Sequence, residues 1–285
     1  MSITVRAPGK INLTLDVVGV RQDGYHLLES LMQAVDVTDT LTAEKAEGIT
    51  LDVVGGHPCP VEKNTAYKAA QVFFRDTGIR GGVHMTLEKH IPQQAGMGGG
   101  SADAAAVLWA LDRLYDTRLS AEELCRMGVQ VGADVPFCVV GGTAFVTGIG
   151  EKIRPVAPLP PCHIVIAQPA EGVSTAEAYG AIDRAESLRH PDHAAALQAL
   201  AAGDLPLLCR QAENVFEQVT ALAGVTAIRE TMDRFSPLCS RMTGSGSAVF
   251  AVFDDPTAAA ACLAALQADY PTAFLCRPCG GVIFE

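Results

Sequence analysis

The sequence predicts an α+β protein in two parts, and three observations carry that reading. The first segment alternates apolar and polar residues with period two. Stretches further along repeat apolar residues every three or four positions. Three prolines in VAPLPP then break the pattern just after residue 155. A chain of 285 residues that is 49% hydrophobic is long enough to give each part its own core. The expected parts are residues 1–155 and 156–285.

In chain order, Ile3, Val5 and Ala7 share one face, and Ile11, Leu13, Leu15 and Val17 share the next, with Pro8-Gly9 between them. This predicts two strands separated by a turn. Asp23-Gly24 is a second turn signal, and LMQAVDVTDTLTAE alternates again. Residues 62–76 read as a helix with Ala66, Ala69, Ala70 and Phe73 on one side. HMTLEKHI reads as a strand, 101–115 and 120–130 as helices, and the region near 142–147 as a strand. After the proline break, HIVIAQP predicts a strand and 174–235 a mainly helical region. MTGSGSAVFAVF predicts a turn then a strand, PTAAAACLAALQ a helix, and AFLCRP a last strand. The second part is thus expected to be a small sheet covered by helices.

The bulk composition excludes several classes. No apolar run approaches the roughly 18 residues a membrane span needs. The start, MSITVRAPGKINL, reads as a first strand rather than a signal peptide. A net charge of −11 argues against a nucleic-acid or membrane-surface partner, though a few local cations can still hold an anionic small molecule. Nine scattered cysteines fit free thiols in a reducing cytoplasm. Cys276 and Cys279 have CxxC spacing, but no second pair completes a metal site.

The most informative stretch is PQQAGMGGGSADAAAVLWALDRLY, where four glycines within five residues precede an amphipathic helix. Val107, Leu108, Leu111, Leu114 and Tyr115 make its apolar face. Ser101 is expected at the N-cap and Asp103 in the first turn, where a carboxylate suits the helix dipole. Glycines there allow positive φ and a close approach of ligand to backbone. Free N–H groups at the helix start make an anion site, and phosphate is the natural occupant. The alternative is a plain flexible loop. The known motifs GxxxxGK[ST] and GxGxxG are both absent from this stretch, and no parallel βαβ series surrounds it, so a dinucleotide-binding oxidoreductase is a poor reading.

This stretch resembles the glycine-rich motif of the GHMP kinases, the family of galactokinase, homoserine kinase, mevalonate kinase and phosphomevalonate kinase. The resemblance extends to APGKINLTLDVVGVRQDGYHLLESLM, GADVPF, GVSTAEAY and SRMTGSGSAVFAVF, and so to nearly the whole chain, with 182–235 its weakest part. DGYH together with the triple glycine resembles the branch of the family that acts on a cytidylated methylerythritol. The resemblance implies a two-domain α+β fold with the active site in a cleft between the parts. It implies ATP as phosphoryl donor with Mg²⁺, and the 2-hydroxyl of the methylerythritol unit as acceptor, in the non-mevalonate route to isoprenoid precursors. Three positions depart from the usual pattern: Ala102 replaces a second serine, Met97 a leucine, and Thr243 stands where serine is also common.

Carried over residue by residue, the resemblance implies Lys10 and Asp134 as the catalytic pair. Lys10 is expected in a turn after the first strand. Asp134 is expected in a loop, with Pro136 biasing Val135 towards an extended conformation. An ammonium beside a carboxylate favours its charged form, which makes a weak base. Phosphoryl transfer tolerates this, because proton removal can come late. Gly96, Gly98, Gly99, Gly100 and Ser101 would wrap the ATP phosphates, and Ser101 is the one candidate metal ligand. Thr243, Gly244, Ser245 and Gly246 would form a second tight turn over phosphates or substrate, with a hairpin turn as the alternative. Asn64 and Lys89 are candidates for the adenine side, against a helix cap and a surface charge. Asn12, two residues from Lys10 on the same strand face, would hold acceptor hydroxyls. Tyr25 and Tyr179 would sandwich the cytosine, and His26 would bond its edge. Asp103 would stabilise the helix start.

Two other functions compete: another small-molecule kinase of the family, such as homoserine or mevalonate kinase, and a non-catalytic nucleotide-binding protein of the same fold. The expected state is a cytoplasmic monomer or weak homodimer.

Overall fold

The structure is a computed structural model and describes Ser2–Glu285. The chain begins with a long hairpin, β1 (Ser2–Val20) and β2 (His26–Ala46), closed by the turn at Asp23-Gly24. Then follow β3 (Ile49–Val54), α1 (Thr65–Thr77), β4 (Gly82–Glu88), α2 (Gly99–Tyr115), α3 (Ala121–Gly128), α4 (Val135–Val140), β5 (Thr143–Gly148) and β6 (Lys152–Pro155). The prolines at 158–161 lie between β6 and β7 (His163–Ala167). Beyond them come α5 (Thr175–Arg184), α6 (His193–Ala201), α7 (Leu205–Arg210), β8 (Glu213–Asn214), α8 (Ala223–Asp233), β9 (Cys239–Met242), β10 (Val249–Phe253), α9 (Pro256–Gln267), β11 (Phe274–Cys276) and β12 (Ile283–Phe284).

Among the described residues these strands form two sheets. The larger has eight strands, with β12-β1-β2-β4-β3 as its main path and β5, β6 and β8 attached. The smaller is antiparallel in the order β11-β7-β10-β9. Helix α2 crosses β1 and β2, with α1, α3 and α4 around it. Its alanines let it lie close to the sheet, and Ala102, Ala104, Ala105, Ala106 and Leu108 are all buried. In β10, VFAVF, every residue is buried. Phe250 and Val252 face the core shared with the first part, while Val249, Ala251 and Phe253 face α8 and α9. Period two thus feeds two cores from one strand.

Local chemistry explains most boundaries. Asn64 caps α1 by accepting the Ala66 N–H, and Gly78 ends that helix in the left-handed region. Ser120 and Glu123 form a capping box for α3. Asp255 accepts from Thr257 and Ala258 at the start of α9, where Pro256 suits the first turn.

Four expectations are corrected. Pro8-Gly9 is not a turn: β1 runs through it, and the irregularity appears as a register shift, with Pro8 opposite Thr38 but Gly9 opposite Val35. The partner strand absorbs two extra residues there, so β1 stays extended. Lys10 therefore lies within β1. Helix α2 begins at Gly99 rather than after Ser101, with Gly98 at the N-cap in the left-handed region and no side-chain cap. Val135 is not extended but opens α4, because proline is tolerated in a first helical turn; Asp134 occupies the N-cap position. Strands β3, β6, β8, β9 and β12 have no counterpart among the predicted elements, each being short or at an edge, so AFLCRP, which forms β11, is not the last strand.

Candidate active site

Two cavities meet at the glycine loop. One, of about 830 Å³, lies between β3, the start of α1 and the loop, and Asn64, Lys89 and all five loop residues line it. The other, of about 500 Å³, is lined by Lys10, Asn12, Tyr25, His26, Asp134 and Tyr179, among others. Gly96, Gly98 and Ser101 line both, so the loop is the wall between them.

The first α2 hydrogen bond runs from Ala102 N–H to Gly98 C=O at 2.8 Å. The N–H groups of Gly99, Gly100 and Ser101 thus have no intrahelical partner, the condition for anion binding at a helix start. Two glycines are needed for close approach. A Cβ on Gly96, whose φ is +74°, would sit 2.1 Å from the Thr243 carbonyl oxygen. A Cβ on Gly98, at φ +70°, would sit 3.1 Å from Lys10 Cγ. The loop is thereby held against both the second glycine turn and the Lys10 stem. Lys10 N–H also donates to Met97 C=O at 2.9 Å.

Lys10 is 4% exposed. Its ammonium lies 3.4 Å from Asp134 Oδ2 and donates to Asn12 Oδ1 at 2.8 Å. The structure thus brings together Lys10 and Asp134, from β1 and the α4 N-cap. Asn12 lines the smaller cavity and is held by several bonds within the protein. Its amide donates to Ser30 Oγ at 2.8 Å, and its Oδ1 also accepts the Gly244 N–H at 3.0 Å. Its own N–H donates to Thr243 Oγ1 at 3.1 Å. Asn12 therefore ties the second glycine turn to the floor of the site, while Gly244 and Ser245 line the smaller cavity. Gly246 turns away from the cavities towards Met242 and Val173.

The nucleobase candidates lie at the mouth of the smaller cavity. Tyr25 is exposed, with the Arg21 guanidinium 5.4 Å from its ring centroid. Tyr179 does not face Tyr25 across an open slot. It stacks on His26, with centroids 4.5 Å apart, and meets Phe216 edge-on. His26 Nε2 shares a 2.7 Å hydrogen bond with Asp183. Burial pushes the Tyr179 phenol up to about 12, so it stays protonated at neutral pH.

Lys89 and Asp103 correct their expectations in part. Lys89 is no surface charge: its ammonium is buried between the Asp39 and Asp103 carboxylates. Burial opposes its charge, but the two carboxylates outweigh this and hold it above the ordinary lysine value. Asp103 does not cap the helix; it faces Lys89 from the second turn of α2, and burial raises its carboxyl well above the usual range.

Three residues of this region were not foreseen. Asp39 shares the inward parity of Leu41 and Ala43, so a charge on the apolar face of an alternating strand was the available signal. Asn214 donates to the Met242 and Gly244 carbonyls at 2.7 and 2.8 Å, and Glu217 accepts the Met242 N–H at 2.5 Å. Nothing in the local sequence marks these last two as supports of the 243–246 turn.

Among the described residues no three His, Cys, Asp or Glu side chains gather as a metal site. Ser101 lines both cavities, and its hydroxyl is a hard oxygen of the kind Mg²⁺ takes together with phosphate oxygens and water.

A loop of free amides between a nucleotide-sized cavity and one holding a lysine–aspartate pair defines the GHMP kinase class. The chain matches the family described as GHMP kinases N terminal domain over residues 64–142, and GHMP kinases C terminal over 196–272. It is similar to the 4-diphosphocytidyl-2-C-methyl-D-erythritol kinase of Clostridium tetani (strain Massachusetts / E88), at 38% identity over 96% of this chain and 99% of that one. A crystal structure of 4-(cytidine 5'-diphospho)-2C-methyl-D-erythritol kinase superposes with TM-score 0.82 at 35% identity, covering 98% of this chain and all of the other. The chain belongs to the 4-diphosphocytidyl-2-C-methyl-D-erythritol kinase family. A homoserine kinase from Cytophaga hutchinsonii shares the fold, with TM-score 0.79 at 19% identity over 100% of this chain and 97% of the other.

Proposed function

We propose that the protein transfers the γ-phosphoryl group of ATP to the 2-hydroxyl of 4-diphosphocytidyl-2-C-methyl-D-erythritol, in non-mevalonate isoprenoid precursor biosynthesis. The observation that carries this is the shared wall: the loop that would hold the donor phosphates is also the wall of the cavity holding Lys10 and Asp134. The family names support the same reading, and neither the homoserine and mevalonate kinase alternatives nor a non-catalytic protein is favoured.

ATP would occupy the larger cavity, its phosphates on the N–H groups of Gly99, Gly100 and Ser101, with Asn64 and Lys89 towards the adenosine end. The acceptor would enter the smaller cavity. Its base would meet Tyr25, His26 and Tyr179, and its 2-hydroxyl would meet Asp134. The acceptor oxygen forms a bond to the γ-phosphorus in line with the breaking bond to ADP, and its proton passes to Asp134 late in the transfer. Lys10 stabilises the charge that develops on the phosphoryl oxygens. Its ammonium is held by Asn12 and Asp134, so it needs no reorganisation at the moment of reaction. Thr243, Gly244 and Ser245 would close the site from the second part, with Gly246 completing the turn that carries them. Ser101 would hold Mg²⁺ with the phosphate oxygens, and the ion would supply further neutralisation of their charge.

We further propose the division into residues 1–155 and 156–285, and a cytoplasmic monomer or weak homodimer. All nine cysteines are free thiols, and among the described residues no helix is long and apolar enough to cross a membrane. The test is incubation with ATP, Mg²⁺ and the cytidylated acceptor, read by mass for one added phosphate. Phosphorylation of homoserine instead, with the cytidylated compound ignored, would overturn the assignment.

A further inference from the structure

The buried cluster of Asp39, Lys89 and Asp103 lies beneath the larger cavity, and it joins three elements. Asp39 is on β2, Lys89 follows β4, and Asp103 is on α2. The three side chains are 0%, 6% and 4% exposed. Lys89 Nζ donates to one oxygen of each carboxylate. The other oxygen of Asp39 accepts the His90 N–H at 2.6 Å and the Ile91 N–H at 2.8 Å. Gly99 lies on this platform: a Cβ there would sit 3.2 Å from Ile91 Cγ2 and 3.6 Å from Lys89 Nζ. Asp103 is one helical turn further along, so its bond to Lys89 fixes the rotation of the turn that carries the free amides.

A buried ion cluster is a poor device for stability alone, since well-packed neutral groups often do as well. Its advantage is geometric. Two carboxylates on separate elements define where one ammonium can lie, and that ammonium bears on the loop. The cluster also offers little net positive charge to a phosphate, because one lysine faces two acids. The second oxygen of Asp103 is buried with no partner among the described residues.

We propose that Asp39, Lys89 and Asp103 are positioning residues for the donor nucleotide: they set the start of α2 against the end of β4, and so the spacing of the amides that take the ATP phosphates. This rests on reading the larger cavity as the ATP site. Asp39 is the informative member, since it lines neither cavity and is fully buried. It can affect ATP only indirectly, through Lys89 and through the His90-Ile91 backbone it holds.

The experiment is Asp39→Asn in the whole enzyme, with KM for ATP, KM for the acceptor, kcat and melting temperature all measured. Hydrogen exchange is followed at residues 96–103 and, as reference, at 163–167. Positioning predicts that KM for ATP rises about tenfold while kcat and the acceptor KM stay within about twofold, because misplacing a binding group by a fraction of an ångström weakens binding on that scale. Exchange should quicken at 96–103 and not at 163–167. A lower melting temperature with KM for ATP unchanged would overturn the proposal, leaving a purely structural cluster. A parallel rise of both KM values with faster exchange throughout would overturn it equally. Should Asp39→Asn fail to fold, Asp39→Glu, which keeps the charge but displaces the carboxylate by one methylene, carries the same comparison. The wild-type assay separates the two claims: no turnover of ATP with the acceptor refutes the kinase reading, and binding of ADP by calorimetry then tests the cluster on its own.

Discussion

The Lys10 ammonium stands 3.4 Å from the Asp134 carboxylate, and the two come from elements more than a hundred residues apart in sequence. Lys10 is buried while the Asp134 side chain is 30% exposed, so the lysine forms the floor and the aspartate the reachable edge. Asp134→Asn keeps the shape and removes the proton acceptor. We expect kcat to fall by roughly 10²–10⁴ with KM for ATP little changed, measured by steady-state kinetics. Equal kcat in the variant would remove Asp134 from the chemistry.

Gly96→Ala tests the contact between the two glycine turns. The added methyl would meet the Thr243 carbonyl at 2.1 Å, and the position is left-handed. Both effects force the turns apart. We expect a loss of about 1–3 kcal/mol in stability, read by chemical denaturation, together with a raised KM for ATP. Wild-type values for both would show that the turns do not touch in solution.

Tyr179→Ala should weaken the acceptor and not the donor. Stacking on an aromatic ring contributes about 1–3 kcal/mol per base, so KM for the acceptor should rise between about fivefold and a hundredfold. Tyr179→Phe, which keeps the ring, should restore most of the binding. If alanine and phenylalanine behave alike, the ring is not a base platform.

His193 gives the protein an acid limit. Its Nδ1 shares a 3.0 Å hydrogen bond with Thr14 Oγ1, and its Nε2 is buried with no hydrogen-bond partner among the described residues, 3.9 Å from Glu29 Oε2. Burial holds it below the ordinary histidine value, with Glu29, Asp16 and Asp192 opposing. The folded state therefore binds the proton less readily than the unfolded chain. Its contribution to stability is present above about pH 6.5, the unfolded value, and is lost as pH falls through the lower folded value. The melting temperature should drop across that acid range, and His193→Gln should flatten the drop. An unchanged slope in the variant would assign it to other groups.

The sequence made the strands and helices with strong periodicity legible, and the glycine loop with them. HIVIAQP, VFAVF and the alanine-rich helices announce themselves by period and by the turn residues between them. Positions such as Lys10 and Asn64 were visible only through the family motif, because an isolated lysine or asparagine has no local signature. Some features need the assembled fold. Pro8-Gly9 carries a turn signal that a long partner strand overrides, and Ser101 resembles a cap although the helix starts earlier on uncapped glycines. Asp39, Asn214 and Glu217 support the loops from 25 to 52 residues away in the sequence, distances that no local pattern spans.

The last strand has a consequence for dissection. β12 adds to the outer edge of β1, and β8 runs parallel to the same strand at Thr14 and Leu15. The N-terminal hairpin is thus completed by chain that is made last. A fragment ending at residue 155 would present bare backbone donors and acceptors along β1, a template for self-association. Cutting the gene there should yield a sticky product rather than a miniature of the first lobe, and adding the missing half in trans should be what restores solubility.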